Sequence, residues 1–174
     1  MTTAIVILVL VIGLAAATVR ILDEWERGVI LRLGRALPGT KGPGLILLIP
    51  IIDRIRRVDT RVVTLQVPPQ EVITRDNVST TVTAVILFRV MDAHIAITRN
   101  VDFMFATSQV AQTALRSILG QHTLDELLAE REQVNERLQE VIDSQTAPWG
   151  VKVSIVEVKD VEIPEEMRQA LAKE

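Results

Sequence analysis

Two histidines, His94 and His122, are the only side chains of this 174-residue sequence whose ordinary pKa allows proton exchange near neutrality. A nucleophile for either to activate is hard to find. The absence of Cys removes thiol catalysis, disulfides, Cys-ligated zinc and S-acylation. No HExxH, no Gly-x-Ser-x-Gly and no phosphate- or dinucleotide-binding glycine pattern occurs. Ser108 and Ser117 have no His or Lys partner at a motif spacing. His122 immediately precedes Thr123-Leu124-Asp125-Glu126, a capping box, so a place in an interhelix turn accounts for it better than general-base or metal chemistry. Glu165-Glu166 sits where a helix dipole explains it, and Glu130 and Glu132 belong to a solvated face. The sequence therefore names no catalytic residue, no cofactor-binding residue and no metal ligand. A hydrolase acting through Ser108, Ser117 or His122 is the least supported reading.

The elements that would position these groups follow from hydrophobic period. Residues 28–33 read as a strand with Val29, Leu31 and Leu33 on one face, and a second strand at 61–67 is expected to end at Pro68-Pro69, which lack ladder N–H groups. Asp76-Asn77 marks a hairpin turn, and 78–90 alternates with period two as the clearest strand. The period then becomes helical through Met104, Ala111, Ala114, Leu115 and Ile118, with Asn100 as N-cap and Gly120 as stop. From Thr123 a second helix is expected to run unbroken to about Thr146, burying Leu124, Leu127, Leu128, Val134, Leu138, Val141 and Ile142. Residues 151–161 return to a strand whose apolar phase slips between Ile155 and Val156, as a bulge would cause. Ile163-Pro164-Glu165-Glu166 opens a last helix with Pro at its first position. Strands first and helices afterwards indicate an α+β fold.

Ahead of this domain, residues 1–19 carry no charged side chain. The anchor is assigned to Ala4, Ile5, Val6, Ile7, Leu8, Val9, Leu10, Val11, Ile12, Leu14 and Val19. Its strongly apolar members favour insertion by roughly 3 to 6 kcal/mol, and as a helix the segment spans roughly 24 Å, slightly short of a bilayer core of about 30 Å. A signal peptide cleaved after Ala15-Ala16-Ala17 is the alternative, but such peptides begin with positive charge. Here Arg20, Arg27, Arg32 and Arg35 follow the apolar run, which places the body of the chain in the cytoplasm. A second apolar run, 44–52, is too short to span. Its residues Leu45, Ile46, Leu47, Leu48, Ile49, Ile51 and Ile52 fit either an interfacial membrane contact or a buried strand.

Charge separates along the chain. Residues 20–61 hold nine Lys/Arg against five Asp/Glu, and residues 62–174 hold ten against seventeen. A basic segment beside an apolar anchor suits anionic headgroups, whereas the acidic remainder argues against nucleic acid.

From about Glu24 the sequence runs through the blocks Glu26-Arg27-Gly28-Val29, Lys41-Gly42-Pro43-Gly44, Pro50 with Ile52-Asp53, and Val67-Pro68-Pro69-Gln70-Glu71-Val72-Ile73-Thr74. Ala106-Thr107-Ser108-Gln109, residues 116–128, Trp149-Gly150-Val151-Lys152-Val153 and Lys159-Asp160-Val161 follow in order. In these blocks it resembles the stomatin, or slipin, branch of the SPFH (band 7, prohibitin homology) family. The resemblance implies 1–22 as transmembrane anchor, 23–66 as a membrane-proximal segment, 67–163 as the main SPFH domain, and 164–174 as the start of a carboxy-terminal coiled-coil helix. It also implies a non-enzymatic homo-oligomeric scaffold that organises membrane microdomains and modulates membrane proteins, with membrane lipids, copies of itself, and a membrane protease or an NfeD-type protein as partners; the alternative is a regulatory partner subunit of a membrane protease or channel. No cofactor is implied. Family members continue beyond the position of Glu174 into a long Ala/Glu-rich helix, so the sequence is consistent with a fragment. Leu87-Phe88 departs from the paired Tyr common in stomatins.

Overall fold

The computed structural model describes Gly13 and residues 18–162. Its eight strands are β1 (Val19–Leu22), β2 (Glu26–Arg32), β3 (Arg35–Ala36), β4 (Gly44–Leu47), β5 (Asp53–Asp59), β6 (Val63–Ile73), β7 (Ser79–Val90) and β8 (Val151–Glu162). Its helices are α1 (Ala93–Arg99), α2 (Phe103–Leu119), α3 (Leu124–Ala129) and α4 (Arg131–Thr146), followed by a 3-10 turn at Ala147–Trp149. The strands form three antiparallel sheets, ordered β1-β4, β3-β2-β5 and β6-β7-β8. The α+β expectation holds.

The alternation seen in 78–90 makes β7 the middle strand of the largest sheet, with Val82, Ala84, Ile86 and Phe88 facing inward. The helices cover that face. Ala111, Leu115 and Leu119 of α2 and Val134, Leu138 and Ile142 of α4 complete one core with Val153, Val156 and Val158 of β8. A second core joins the smaller sheet to this domain through Val29, Val58, Val90, Ala93 and Ala96. A third holds β1 and β4 against β2 through Leu22, Ile30, Ile46 and Leu48. Gly28 permits the last arrangement, because a Cβ there would stand 2.7 Å from Ile55 Cδ1 and 2.9 Å from Leu22 Cδ1.

Several expectations are corrected. Pro68-Pro69 does not end its strand; β6 absorbs both prolines in a bulge and continues to Ile73, with Val67 opposite Ala84 and Gln70 opposite Val82. An edge strand can do this because one row of its N–H groups needs no ladder partner. The buried Gln70 side chain fastens the bulge, donating from Nε2 to the carbonyls of Pro68 and Pro69 and accepting from Arg116. β8 bulges at the same level, with Val158 opposite Ala84 and Val161 opposite Val82, so Thr83 is flanked by an irregularity on each side. The anticipated phase slip in β8 is present one residue earlier than expected, at Ser154, between Val153 opposite Phe88 and Ile155 opposite Leu87.

Asn100 is not the N-cap of α2. Asp102 caps it by accepting from Phe105 N, and Asn100 instead terminates α1, a helix not anticipated, which Asp92 caps. Met104 is exposed rather than buried. The long helix from Thr123 is broken at Glu130, with φ −115° and ψ 38°, and Leu128 leaves the buried stripe. No Gly or Pro between 124 and 146 signals the break. Leu33 leaves the β2 face and enters the left-handed region at φ 49°. The capping box of Thr123 and Glu126, the hairpin at Asp76-Asn77 and the stop at Gly120 form as expected. The expected last helix lies outside the described residues.

Candidate membrane-contact surface

The chain enters the described domain at Thr18, whose carbonyl accepts from Leu48 N at 2.8 Å. From there β1 pairs with β4, placing Val19 opposite Leu47 and Ile21 opposite Leu45. Side chains directly opposite share a face. These four point to solvent, with Ile21 68%, Leu45 66% and Leu47 66% exposed. Their alternates Ile46 and Leu48 are 8% and 6% exposed and belong to the core with Leu22 and Ile30. The apolar run 44–52 is thus partly buried and partly exposed. Ile46 and Leu48 are removed from the interfacial set by the period-two pleat, which turns them inward. Leu45, Leu47, Ile49, Ile51 and Ile52 remain outside.

The pleat also limits the anchor. Val19–Leu22 is strand, and Leu22 is buried, so helix does not continue through the expected boundary at 22. The assigned residues Ala4 to Ile12 and Leu14 lie outside the described residues. Among the described residues, no helix is long and apolar enough to cross a membrane.

Beyond β4 the surface rises into two adjacent turns. Ile51 has φ 76° and is 98% exposed; Leu33, with φ 49°, is 80% exposed. A bulky side chain in the left-handed region is a backbone outlier, the more so when β-branched like Ile51, and such strain concentrates at functional sites. The turns are joined to each other. Leu33 N donates to Ile52 O at 3.2 Å, while Arg32 donates to Asp53 from Nε at 2.8 Å and from Nη2 at 3.0 Å. Asp53 Oδ2 also accepts from Ile49 N at 3.0 Å. The Arg32 guanidinium, then the Ile49 amide, hold the Asp53 carboxyl down at about 2. Ile21 and Leu33 were not assigned to a site from sequence; the signal for Ile21 was its alternation with Val19.

The residues with chemical potential stand elsewhere and apart. His122 Nδ1 lies 3.1 Å from Glu126 Oε2 in the turn before α3, and Glu126 also accepts from Thr123 N and from Arg75. These contacts, the Thr123 amide foremost, lower the Glu126 pKa. Ser117 and His122 both line a groove of about 520 Å³ between α2 and α4, yet no hydrogen bond joins them. Ser108 accepts from Gln112, and His94 lies on α1. Among the described residues no group of three or more His, Asp or Glu side chains is placed to hold a metal ion.

Residues 20–174 match the SPFH domain / Band 7 family, in agreement with the sequence motifs. The chain belongs to that family. This SPFH chain is 51% identical over 172 residues to a stomatin homolog of Pyrococcus abyssi, a match covering 99% of it and 63% of that protein. It is 46% identical over 161 residues to mechanosensory protein 2 of Caenorhabditis elegans, covering 92% of it and 34% of that protein. Human stomatin-like protein 3 is 44% identical over 156 residues, with coverage of 89% and 54%. The SPFH chain spans less than two thirds of the length of these relatives.

Proposed function

We propose that the protein is a non-catalytic, self-associating scaffold of the cell membrane, whose SPFH domain lies on the cytoplasmic face and rests its β1–β4 sheet in the bilayer interface. The observation that carries this reading is the exposed aliphatic face of Val19, Ile21, Leu45 and Leu47, at the end of the domain where the apolar amino-terminal segment arrives. Partial burial of such side chains is worth on the order of 1 kcal/mol each, so the face adds several kcal/mol to a short anchor. Repetition supplies the rest: copies joined in a ring hold a lipid patch with an avidity that a single domain lacks. Such a ring would organise a membrane microdomain and the proteins within it.

The Cys-free sequence makes the test direct. In full-length protein reconstituted into phosphatidylcholine vesicles, a fluorophore on Leu47→Cys should be quenched by lipid-borne nitroxides, and one on Ile155→Cys, exposed on β8, should not. Equal quenching at both positions, or none at Leu47→Cys, rejects the interfacial placement. A full-length protein that stays monomeric in detergent at every concentration rejects the scaffold.

A further inference from the structure

We infer that the Leu33 and Ile51 turns form a paired tip selective for anionic phospholipid, with Arg35 and Arg54 as a cationic collar at headgroup level. The inference rests on the membrane-contact reading above and adds a lipid class to it.

The charges of the small sheet balance at one end and not at the other. Across the β3-β2-β5 sheet, Arg35, Arg32 and Asp53 form one row and Ala36, Leu31 and Arg54 the next. At the opposite end of the β2–β5 ladder stand Glu26 and Asp59, about 20 Å away at 3.3 Å per residue. That far end is balanced, with Arg57 3.6 Å from Glu26 and Arg61 paired to Asp59, whereas the tip sets Arg32, Arg35 and Arg54 against the single carboxylate of Asp53.

Only one carboxylate serves the tip, and it is already committed. Asp53 is taken by Arg32 in a two-bond pair with the Asp53 side chain shielded from solvent. Arg35, directly opposite Arg32, is left without a counter-ion, and so is Arg54, among the described residues. Like charges directly opposite on a sheet are destabilising. An arrangement that accepts this cost, while presenting two aliphatic side chains fully outward on strained backbone, suits a surface that is oily below and negatively charged above. The anionic leaflet of a membrane is that surface, and each arginine near it favours binding by about fivefold.

The test follows tip immersion rather than overall attachment, since the amino-terminal segment would dominate the latter. Full-length Leu33→Cys and Ile51→Cys, each carrying the fluorophore, are compared in vesicles of phosphatidylcholine alone and of phosphatidylcholine with phosphatidylglycerol. Expected are stronger quenching by lipid-borne nitroxides in the anionic vesicles, loss of that gain in Arg35→Gln/Arg54→Gln, its retention in Arg35→Lys/Arg54→Lys, and its loss at about 1 M salt, where screening acts over about 3 Å. Equal quenching in both lipids, indifferent to the substitutions, overturns the inference. So does loss of the anionic gain on adding inorganic phosphate at constant ionic strength, which would mark a site for the free ion. Quenching at Leu47→Cys without quenching at Leu33→Cys or Ile51→Cys refutes the tip and leaves the interfacial face standing; no quenching at any of the three rejects both.

Discussion

Arg32 and Asp53 face each other through two parallel hydrogen bonds of 2.8 and 3.0 Å, and this pair is what holds the Leu33 turn beside the Ile51 turn. Planar guanidinium and carboxylate match in both distance and orientation, so the pair fixes geometry as well as charge. Asp53 extends the connection by accepting from the Ile49 amide. Replacing Asp53 with Asn keeps the volume and removes the charge. Amide hydrogen exchange at Ile49 and Leu33 should then quicken by about tenfold, the equivalent of one lost charge-assisted bond, while amides of β7 keep their protection.

Acid should loosen the Ile51 turn and also the β6–β7 hairpin and the start of α3. Four carboxyls have folded pKa values below their ordinary ones: Asp53 at about 2, mainly through Arg32; Asp59, mainly through Arg61; Asp76, mainly through the Thr74 hydroxyl; and Glu126, mainly through the Thr123 amide. The unfolded chain takes up protons first, near pH 4. Their contribution is therefore complete above about pH 5 and declines as pH falls toward 2. Urea midpoints measured from pH 7 to pH 3 should be flat at first and then fall; a midpoint that rises on acidification contradicts this. Asp53→Asn should flatten the acid limb.

Gly150 sits at φ 74°, and a Cβ there would come within 2.6 Å of the Asp92 carbonyl oxygen. Its own carbonyl accepts from Met91 N and Asp92 N, which ties the end of β7 to the start of β8. Gly150→Ala should cost roughly 1 to 3 kcal/mol, read from chemical denaturation, whereas Gly39→Ala, at φ 82° with open space around it, lacks the steric part of that penalty.

Leu138 is fully buried where α4 meets the main sheet. Leu138→Ala should destabilise by about 2 to 5 kcal/mol, while the neighbouring helix position Gln139→Ala should change stability by less than about 0.5 kcal/mol. Equal effects at the two positions would contradict the packing described.

Features carried by neighbouring residues were legible in the sequence. The alternation of β7, the Thr123–Glu126 capping box and the Asp76-Asn77 turn each depend on a few adjacent side chains, and each forms. Features requiring distant partners were not. Nothing near Pro68 says that Arg116, forty-six residues beyond Gln70, will hold the Gln70 side chain over the two proline carbonyls and let β6 continue. The short α1 buries only Ala93 and Ala96, too little to show a helical period; Asp92 was its one local signal. In the candidate site the apolar run was visible, but the division between inward Ile46 and Leu48 and outward Leu45 and Leu47 needed β1 as partner. Arg32 and Asp53 are twenty-one residues apart, so their pairing had no local trace.

The irregularities around Thr83 have a consequence for how copies of the domain can meet. Both borders of the main sheet, β6 and β8, are interrupted there, so neither presents an unbroken row of amides and carbonyls. A strand from another molecule laid along either border would fall out of step after a few residues, which protects against runaway edge-to-edge growth. Any contact between copies across this sheet would then be written in side chains, where a single substitution can change the partner without disturbing the fold.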